Sequence, residues 1–490
     1  MSISAQKIKR KKEKAMSTGK RLLSVLMCVV MLVSMLTVFA VADTTETEIA
    51  PQAAVSTVGN TGAKPTTDVK LTVDANVYVV DKNASADAAY TLTWEGTEYA
   101  DLTFTYGTNL FQSITDAQSV IPVGATVLVK NIKETGKVAF NVAANYYTEA
   151  YNTMPYVVGT AFDGSDWTAN ADYTAKSETL FGVDVKITDA AKSGHLGLYG
   201  FTCKYGDYAF DFNNTTVAVD VTIQNTYHIG TTTSTYYILS FSSFASKEVA
   251  ATSNIVVKNF YESTSTKRFF TNQIPNYVTI DGLYVPSTVD WTDVAYWNVS
   301  YNDKASKLTL KNWNVQSEDL GIYFQGSNQK NYFNTDTDGT ISGASGNRDF
   351  RAIEISNCTF NESTLRSSAS FIHTYANCYS AHNIYNNRII NTSAVRNFIS
   401  NNSATYANHL SLDIHDNYIV GYQSVSGLAS NVGNGSTTGI SFKDNYFAAT
   451  KDAQGETFFI TSTQGTKDWY ATNYYLDADM SIKNTDLATV

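Results

Sequence analysis

The sequence predicts an all-β chain wound as a parallel β-solenoid, from a repeated phrase, its near-constant period and the lack of helical segments between its copies. The phrase consists of an apolar residue, any residue, Asn or Asp, Cys or Asn, any residue and an apolar residue. Its four clearest copies span residues 355–360, 384–389, 414–419 and 442–447. Their Asn or Asp positions are separated by 29, 30 and 28 residues. A period in this range is typical of an array of supersecondary units.

Each phrase predicts a strand, a turn and a second strand. The apolar residues on either side of the Asn or Asp alternate with polar ones, as a half-buried strand requires. Asn and Asp tolerate left-handed backbone geometry and cap their own turns, so they mark the bend between the strands. We expect the side chains of Asn357, Asn386, Asp416 and Asp444 to stack as a buried, hydrogen-bonded ladder along the array.

Weaker copies of the phrase extend the array towards the N-terminus. From residue 200 onward their turn positions are separated by 25, 34, 23 and 30 residues, and a gap of 45 residues leads to Asn357. Variable spacing predicts loops of different length on one face, which is where solenoids place binding sites. The weaker turn positions are Asn131, Gly200, Asn225, Asn259, Gly282 and Asn312.

Residues 1–42 predict a signal peptide. Basic residues run from Lys7 to Lys14 and recur at 20 and 21, an apolar stretch follows, and Ala40-Val-Ala42 matches a small-x-small cleavage site. The alternative is an uncleaved anchor, because about 20 apolar residues can span a bilayer. A cleaved signal predicts a secreted or cell-surface protein of a bacterium-like cell, without membrane contact after cleavage.

The chain is acidic once that segment is removed. Cleavage leaves 27 of the 35 basic residues and 44 of the 45 acidic ones, a formal net charge of −17. Such a charge argues against binding to nucleic acid or to an anionic membrane. The cysteines that remain, Cys203, Cys358 and Cys378, are too few and too irregular for a disulfide framework or a zinc site.

Composition and periodicity predict the remaining boundaries. Phe111, Ile114 and Val120 fall at helical spacing just before a strand-like segment. A short amphipathic helix at this point would cap the open end of a solenoid. The predicted organisation is a linker at 43–68, opening strands at 69–106, a solenoid at 107–475 and a C-terminal tail at 476–490.

The segment 111–129 resembles the entry helix and first strand of right-handed parallel β-helix proteins, the pectin-lyase-like superfamily. It reads Phe-x-Ser-Ile-x-x-Ala and later Gly-Ala-Thr-Val-Leu-Val, and the Asn-containing phrases are similar to that family's turn. The resemblance covers roughly residues 105–450 and implies a single-stranded right-handed parallel β-helix of about ten or more coils with an N-terminal capping helix. It implies no single activity, because the superfamily hosts lyases, hydrolases, esterases, adhesins and phage tailspikes.

The signatures of the family's enzymes are missing or incomplete. The Arg-x-Pro-x-x-Arg signature of pectate lyases is absent. Of the polygalacturonase set, Asn334-Thr-Asp336 occurs alone, and Gly194-His-Leu precedes it in the wrong order. The paired Asp and nearby Arg of the esterases are not recognisable either. These departures argue against a familiar enzyme of the superfamily.

A calcium loop is one interpretation of residues 334–341. Asn334, Asp336 and Asp338 offer alternating oxygen ligands and are followed by Gly and a β-branched residue, as in the first eight positions of such a loop. The twelfth position is Ser345, where the loop requires a bidentate acid. The alternative is an Asx- and Gly-rich surface turn, so the cofactor prediction is either none or Ca²⁺.

Arginine clusters in the most regular part of the array. Beyond residue 42 the chain has six Arg, and five of them lie within 348–396. Arg366 and Arg396 occupy matching positions 30 residues apart, which predicts that they stack about 5 Å apart on neighbouring coils. Two such groups repel unless an anion lies between them, which favours a site for a carboxylate-bearing sugar. The alternative is surface pairing with Glu362 or Asp349, which stabilises little.

Aromatic and histidine residues complete the candidate ligand site. We expect Trp313 and Tyr323 to face outward and stack on sugar rings, although Tyr also simply fits a pleated surface. His373 and His195 are acid–base candidates at neutral pH, without convergent partners in the sequence. The predicted ligand-binding residues are Arg348, Arg351, Arg366, His373, Arg396, Trp313 and Tyr323, and no catalytic residue is identified.

The sequence therefore favours a non-catalytic polysaccharide-binding or adhesive rod, expected as a monomer whose partner is a polysaccharide or cell-surface glycan. The alternative is a polysaccharide lyase or glycoside hydrolase of pectin-lyase-like fold that acts on an acidic glycan. A base, a charge neutraliser and a metal ligand on adjacent coils would favour the enzyme, and the sequence offers them in part.

Overall fold

The fold is described from a computed structural model. The chain divides into two compact units, Met1–Ala54 and Val55–Val490, and every described residue belongs to the second. The predicted signal peptide and linker lie outside the described residues. The structure describes residues 69–157, 168–180, 182–204, 208–212, 215–230, 235–240, 249, 252–263, 266–271, 277–289, 295–298, 307–316, 322–325, 334–335, 341–342, 351–362, 371–375, 380–391, 396–401, 410–420, 422–426, 440–448, 474–476 and 482–483.

The described chain is almost entirely strands. In the N-terminal half these are β1 (Tyr78–Asp81), β2 (Leu92–Trp94), β3 (Thr97–Tyr99), β4 (Leu110–Phe111), β5 (Thr126–Lys130), β6 (Lys137–Phe140), β7 (Asn145–Tyr147), β8 (Tyr156–Val157), β9 (Thr168–Ala169), β10 (Glu178–Leu180), β11 (Gly182–Val185), β12 (His195–Tyr199), β13 (Phe201–Cys203), β14 (Tyr208–Asp211), β15 (Asp220–His228) and β16 (Thr235–Ser240). The described helices are α1 (Ile114–Ala117), α2 (Ala171–Lys176) and a 3-10 turn at Ala190–Lys192.

The second half continues in the same way. Its strands are β17 (Asn254–Glu262), β18 (Thr266–Thr271), β19 (Tyr277–Val285), β20 (Ala295–Asn298), β21 (Lys307–Val315), β22 (Ile322–Gln325), β23 (Asn334–Thr335), β24 (Ile341–Ser342), β25 (Arg351–Ser356), β26 (Thr359–Glu362), β27 (Ile372–Tyr375), β28 (Ser380–Tyr385), β29 (Arg388–Asn391), β30 (Arg396–Asn401), β31 (Leu410–His415), β32 (Tyr418–Val420), β33 (Tyr422–Ser426), β34 (Ile440–Lys443), β35 (Tyr446–Ala448), β36 (Tyr474–Leu476) and β37 (Ile482–Lys483).

These strands form a 21-stranded sheet, a 10-stranded sheet and three two-stranded hairpins among the described residues. The larger sheet consists of two parallel ladders, one of strands before each turn and one of strands after it. The long strands β15, β17, β19 and β21 contribute to both ladders. The smaller sheet, here called the third face, runs in the order β6, β11, β14, β16, β18, β20, β22, β27, β30, β33. The prediction of an all-β, parallel architecture is confirmed.

The pairing register reproduces the sequence period. Ile355 pairs with Ile384, Ile384 with Ile414 and Ile414 with Phe442, so paired residues are 29, 30 and 28 positions apart. From β25 to β32 each strand pairs in parallel with the strand three positions later. The chain therefore passes once through the first ladder, the second ladder and the third face in each repeat.

The turns have the backbone geometry that the sequence predicts. All ten proposed turn positions have a positive φ, between 51° and 57° at the Asn and Asp residues and 82° at the two Gly. An L-residue in this region costs roughly 1–2 kcal/mol, and Asn, Asp and Gly tolerate it best. The positions are Asn131, Gly200, Asn225, Asn259, Gly282, Asn312, Asn357, Asn386, Asp416 and Asp444.

The predicted buried ladder is displaced by one residue in the repeat region. Asn357 and Asn386 are half-buried, whereas the residues that follow the turns are fully buried. Asn387 Nδ2 donates to Asn417 Oδ1 at 3.0 Å, and Asn417 Nδ2 donates to Asn445 Oδ1 at 2.9 Å. Asn386 Nδ2 also donates to Asn357 Oδ1, so the predicted stacking of the turn residues is confirmed for this pair. The prediction that they form the buried column was wrong here, because the next residue is the one whose side chain enters the core.

From the turn at Asn312 onward, the residue after each turn also donates to the preceding repeat. Its acceptor is the backbone carbonyl two residues before the preceding turn, so the same bond recurs at each of these steps. A carbonyl facing the core would otherwise lack a partner, at a cost of roughly 1–3 kcal/mol. The bonds run from Trp313 Nε1 to Ile280 O (3.0 Å), from Asn387 Nδ2 to Ile355 O (2.8 Å), from Asn417 Nδ2 to Ile384 O (2.8 Å) and from Asn445 Nδ2 to Ile414 O (2.9 Å).

An insertion that carries β8, β9 and α2 covers the earlier turns. The hydroxyl of the buried Tyr173 lies 2.6 Å from Phe201 O and 2.7 Å from Asn225 O. Asn225 Nδ2 donates to Tyr151 O at 2.5 Å, and Asn259 Nδ2 donates to Asn225 Oδ1 at 2.9 Å. Under this insertion the turn residues themselves are therefore buried and stacked, as predicted.

Strands on both sides of the predicted solenoid bounds also pair within the larger sheet. β1 pairs in parallel with β4 and β5, so the first ladder begins before residue 107. α1 packs Ile114 and Ala117 into the main core, and its N-cap Ser113 accepts from Asp116 N. β37, in the predicted tail, pairs antiparallel with β36. Among the described helices none is long and apolar enough to cross a membrane.

We expect Asn417→Leu to lower the free energy of unfolding by at least about 2 kcal/mol. The substitution leaves Ile384 O and Asn387 N–H without their buried partners. Urea unfolding midpoints measure the loss. The matched control is Asp416→Gly, which alters the exposed neighbour but keeps a residue that accepts positive φ, and it should cost less than about 1 kcal/mol. Equal losses for the two variants would contradict the buried column.

Candidate functional site

The third face aligns polar positions from successive coils in one row. Register partners run without interruption from β11 to β33. Neighbouring strands lie about 4.8 Å apart, so nine positions extend over roughly 38 Å. We call this set the polar row: Asp184, Asp211, Ser240, Thr271, Tyr296, Tyr323, His373, Ser400 and Ser426.

The apolar residues just before the row show on which side of the sheet the row lies. Val183, Phe210 and Leu239 are paired with one another and buried in the main core. Successive side chains of a strand point to opposite faces. Asp184 accordingly lies on the other face, with its side chain 21% exposed. Asp184 is thus on the outer side of the third face, whereas Asp211 and Ser240, which follow it in the row, are themselves buried.

Two carboxylates and one ammonium group occupy the N-terminal end of the row. Lys137 Nζ lies 3.4 Å from Asp184 Oδ1 and 3.6 Å from Asp211 Oδ2. Asp184 and Asp211 are register partners on adjacent strands, so their carboxyl groups belong to neighbouring coils. The Asp211 side chain is 9% exposed. One lysine therefore forms ion pairs with two carboxylates at a position with little access to water.

Burial raises the pKa of the Asp211 carboxyl. The Lys137 ammonium lowers this pKa in part, the Asp184 charge raises it, and a hydrogen bond with Ser240 lowers it. Oδ1 of Asp211 is buried without a hydrogen-bond partner, whereas Oδ1 of Asp184 is buried with the Lys137 ammonium 3.4 Å away. Such orphaned acceptors are uncommon in folded proteins and mark functional or strained sites.

Sequence reasoning missed this acidic end, although a signal exists. Asp184 stands between Val183 and Val185, and Asp211 stands between Phe210 and Phe212. A carboxylate between two apolar residues of a strand places a charge beside a buried surface, which is unusual without a purpose. The two tripeptides are 27 residues apart, close to the period of the array.

Two of the predicted site residues meet on the polar row. Tyr323 pairs with His373, and Tyr323 also pairs with Tyr296 on the preceding strand. Two residues further along these strands, Asn298 pairs with Gln325 and Gln325 with Tyr375. We call the latter set, Asn298, Gln325 and Tyr375, the flanking row. Aromatic, hydroxyl, imidazole and amide residues thus share one region of the third face.

The predicted outward position of Trp313 is wrong. Its side chain is fully buried in the main core and donates from Nε1 to Ile280 O at 3.0 Å. Trp313 follows the turn at Asn312, and the residue after a turn points into the coil. The prediction applied simple strand alternation across this turn, although a left-handed residue interrupts that alternation. This residue supports the fold and cannot stack on a sugar.

The predicted arginine cluster is brought together only in part. Arg351 begins β25 opposite Ser380 in the first ladder, whereas Arg396 begins β30 opposite Tyr422 on the third face. Arg348 and Arg366 lie outside the described residues. Near Arg396 the register offset is 27, from Ile372 to Ile399. The stacked pair of Arg366 and Arg396 stays a prediction.

The calcium prediction falls largely outside the described residues. β23 and β24 pair antiparallel, with Asn334 opposite Ser342. Asp336 and Asp338 lie outside the described residues. Within the described part of the chain, no group of three or more His, Cys, Asp or Glu is placed to hold a metal ion. Calcium binding at Asn334, Asp336 and Asp338 stays a prediction.

The histidines differ in their surroundings. His195 begins β12, and its Nε2 lies 3.4 Å from the Tyr199 hydroxyl. Burial lowers the pKa of His195, and Asp220 raises it in part. Sequence reasoning missed the pair of His228 and Glu262, both fully buried with Nδ1 and Oε2 2.7 Å apart. This pair lies in the core, where a sugar chain has no access, so its role is structural.

The buried cysteines are not reactive sites. Cys203 pairs in register with His228, and burial raises the pKa of its thiol, with a further contribution from Glu262. Burial likewise raises the pKa of the Cys358 thiol. Reactive cysteines need a lowered pKa and access to solvent. Cys203 and Cys358 are both buried, so they lack that access.

Comparison of the chain with protein-family models, with curated proteins and with solved structures finds no match. The functional argument therefore depends on the geometry of the third face.

We expect Asp211→Asn to raise the melting temperature relative to the parent protein more at about pH 7 than at about pH 4. The folded-state pKa of Asp211 is raised, so its stabilising contribution is present at low pH and is lost as the pH rises through that pKa. The isosteric amide removes this loss. Thermal unfolding between these pH values provides the measurement.

The matched control for Asp211→Asn is Asp172→Asn, an exposed acid on α2 paired with Lys176. The difference in melting temperature between Asp172→Asn and the parent protein should change little over the same pH range. A pH-independent difference at Asp211 would contradict the raised pKa.

We expect Glu262→Leu to destabilise the protein by about 3–5 kcal/mol, because it leaves His228 buried without its carboxylate partner. The double variant His228→Leu/Glu262→Leu should lose less than Glu262→Leu alone, since no buried charge then lacks its partner. Chemical unfolding of the two variants measures the difference. A larger loss in the double variant would show that the pair is not coupled in this way.

Proposed function

We propose that the protein is an exported, single-stranded right-handed parallel β-helix that binds a polysaccharide along the polar row of its third face. The observation that carries the proposal is the series of direct register partners from Asp184 to Ser426, which sets polar residues of nine neighbouring strands in a line. A linear polymer can contact a row of this kind at regular intervals. The repeated left-handed turns and the return of the chain every third strand support the helical winding.

The residue types of the row suit sugars. Tyrosine rings can stack on the apolar faces of sugar rings, and Ser, Thr, Asn and Gln can exchange hydrogen bonds with hydroxyl groups. The centre of the row, at Tyr296, Tyr323 and His373, carries the greatest concentration of these types. The flanking row adds two amides and a tyrosine beside it. We place the main contacts of the polymer here.

A second candidate function is cleavage of the bound chain as a lyase or glycoside hydrolase. The specific observation in its favour is the pair of Asp184 and Asp211, two carboxyl groups on adjacent coils with the pKa of Asp211 raised. Glycoside hydrolysis commonly uses two carboxyl groups that differ in protonation. Release of reducing or unsaturated sugar from glycans, abolished in Asp211→Asn, would establish this activity in place of simple binding.

Affinity electrophoresis in gels that contain soluble plant and microbial polysaccharides tests the binding proposal. We expect retardation by at least one polysaccharide, and we expect Tyr323→Ala and His373→Ala each to weaken it about ten-fold, which is about 1.4 kcal/mol. The matched control is Tyr277→Ala, an exposed tyrosine of the first ladder, which should leave retardation unchanged. Retardation that is equal in all three variants would contradict binding along the polar row.

Export is tested separately by sequencing the N-terminus of the protein recovered from the culture medium or cell surface. The signal prediction places the first residue of the mature chain at Asp43, after the Ala40-Val-Ala42 pattern. A protein that keeps residues 1–42 and fractionates with membranes would support the uncleaved anchor instead.

A further inference from the structure

We propose that the polar row selects an uncharged, hydroxyl-rich polysaccharide, and that Asp184 and Asp211 reject anionic chains at its N-terminal end. This inference rests on the proposed function and specifies its ligand. The uncharged ligand differs from the acidic glycan that the predicted arginine cluster favours. The two hypotheses therefore predict opposite orders of affinity for uncharged and anionic polysaccharides.

The first argument is the charge along the row. Asp184 and Asp211 are the charged residues of the polar row, and the flanking row consists of two amides and a tyrosine. Lys137 is held between the two carboxylates at 3.4 and 3.6 Å, so one positive group faces two acids. Neither row supplies a Lys or Arg to neutralise a carboxylate on a sugar. An acidic polymer would therefore run beside uncompensated negative charge.

The second argument is the poor solvation of the acidic end. The Asp211 side chain is 9% exposed, and its Oδ1 has no hydrogen-bond partner. Charges interact more strongly where water is scarce, so an additional anion here would be repelled more than on an open surface. The raised pKa of Asp211 shows that this place already disfavours negative charge.

The third argument is the chemistry of the alternative ligand. Hydroxyl groups of an uncharged sugar can donate to the partly exposed Asp184 carboxylate without bringing charge. They can also accept from the hydroxyl and amide groups expected along the rest of the row. The net charge of −17 beyond residue 42 adds a long-range preference against anionic polymers. All three arguments favour the same class of ligand.

Isothermal titration with oligosaccharides of equal length tests the inference. The uncharged probes are cello-, xylo- and manno-oligosaccharides, and the anionic probe is an oligogalacturonate, all at low ionic strength where repulsion is strongest. We expect at least one uncharged probe to bind ten-fold or more tightly than the oligogalacturonate. Tighter binding of the oligogalacturonate would overturn the inference while leaving polysaccharide binding itself intact. Binding of none of the probes, together with no retardation by any polysaccharide, would overturn both.

The double variant Asp184→Asn/Asp211→Asn tests the role of the two acids directly. The ratio of uncharged to anionic affinity should fall several-fold, because the repulsion is removed while the shape is kept. Asp172→Asn, remote from the row, should leave the ratio unchanged, and melting temperatures confirm that each variant is folded. Where the double variant fails to fold, Asp184→Asn alone should still lower the ratio. An unchanged ratio in a folded variant would show that these acids do not set the preference.

Discussion

The structure depends on one local event, a left-handed residue followed by a side chain that enters the core. Asn, Asp or Gly at the turn accepts a positive φ that other residues adopt at a cost of roughly 1–2 kcal/mol. From the turn at Asn312 onward, the next residue also donates to a carbonyl of the preceding repeat. This bond recurs from Trp313 through Asn387 and Asn417 to Asn445. In this part of the chain these bonds fix each turn against its neighbour.

The pairing register of the strands determines which side chains face the core, even far from the turns. Side chains of a strand alternate between faces, so a shift by one residue would exchange core and surface along the whole strand. The same holds in the third face, where strand pairing sets which residues line up. Asp184 and Asp211 share a row with Tyr323 and His373 through this pairing, although they are more than a hundred residues apart in sequence.

The turns and the parallel pairing could be predicted from the sequence because they repeat. All ten turn positions follow from the Asn, Asp or Gly of the phrase, and the period gives the pairing of Ile355 with Ile384. The face to which each side chain near a turn points could not be predicted, because a left-handed residue interrupts the alternation of side chains along the strand. Simple alternation therefore predicts that Trp313 points to solvent, and it assigns the buried column to Asn386 instead of Asn387.

The third face resisted prediction for a different reason. Its strands follow connections of unequal length and carry no shared phrase, so spacing alone does not align them. Tyr323 and His373 are 50 residues apart, well beyond the usual period, yet they are direct partners. Asp184 and Asp211 lack any motif beyond their apolar neighbours. Only the pairing of the strands shows that these residues belong together.

A designed disulfide tests this alignment most directly. In a background with Cys378→Ser, the variant Tyr323→Cys/His373→Cys places two thiols on directly paired residues, within the Cα separation of about 4.4–6.8 Å that a disulfide needs. The account predicts an intramolecular disulfide, detected by mass spectrometry of the unreduced protein, and none in the control Tyr323→Cys/Thr374→Cys, which is out of register by one residue. A disulfide in the control, or in neither variant, would contradict the polar row.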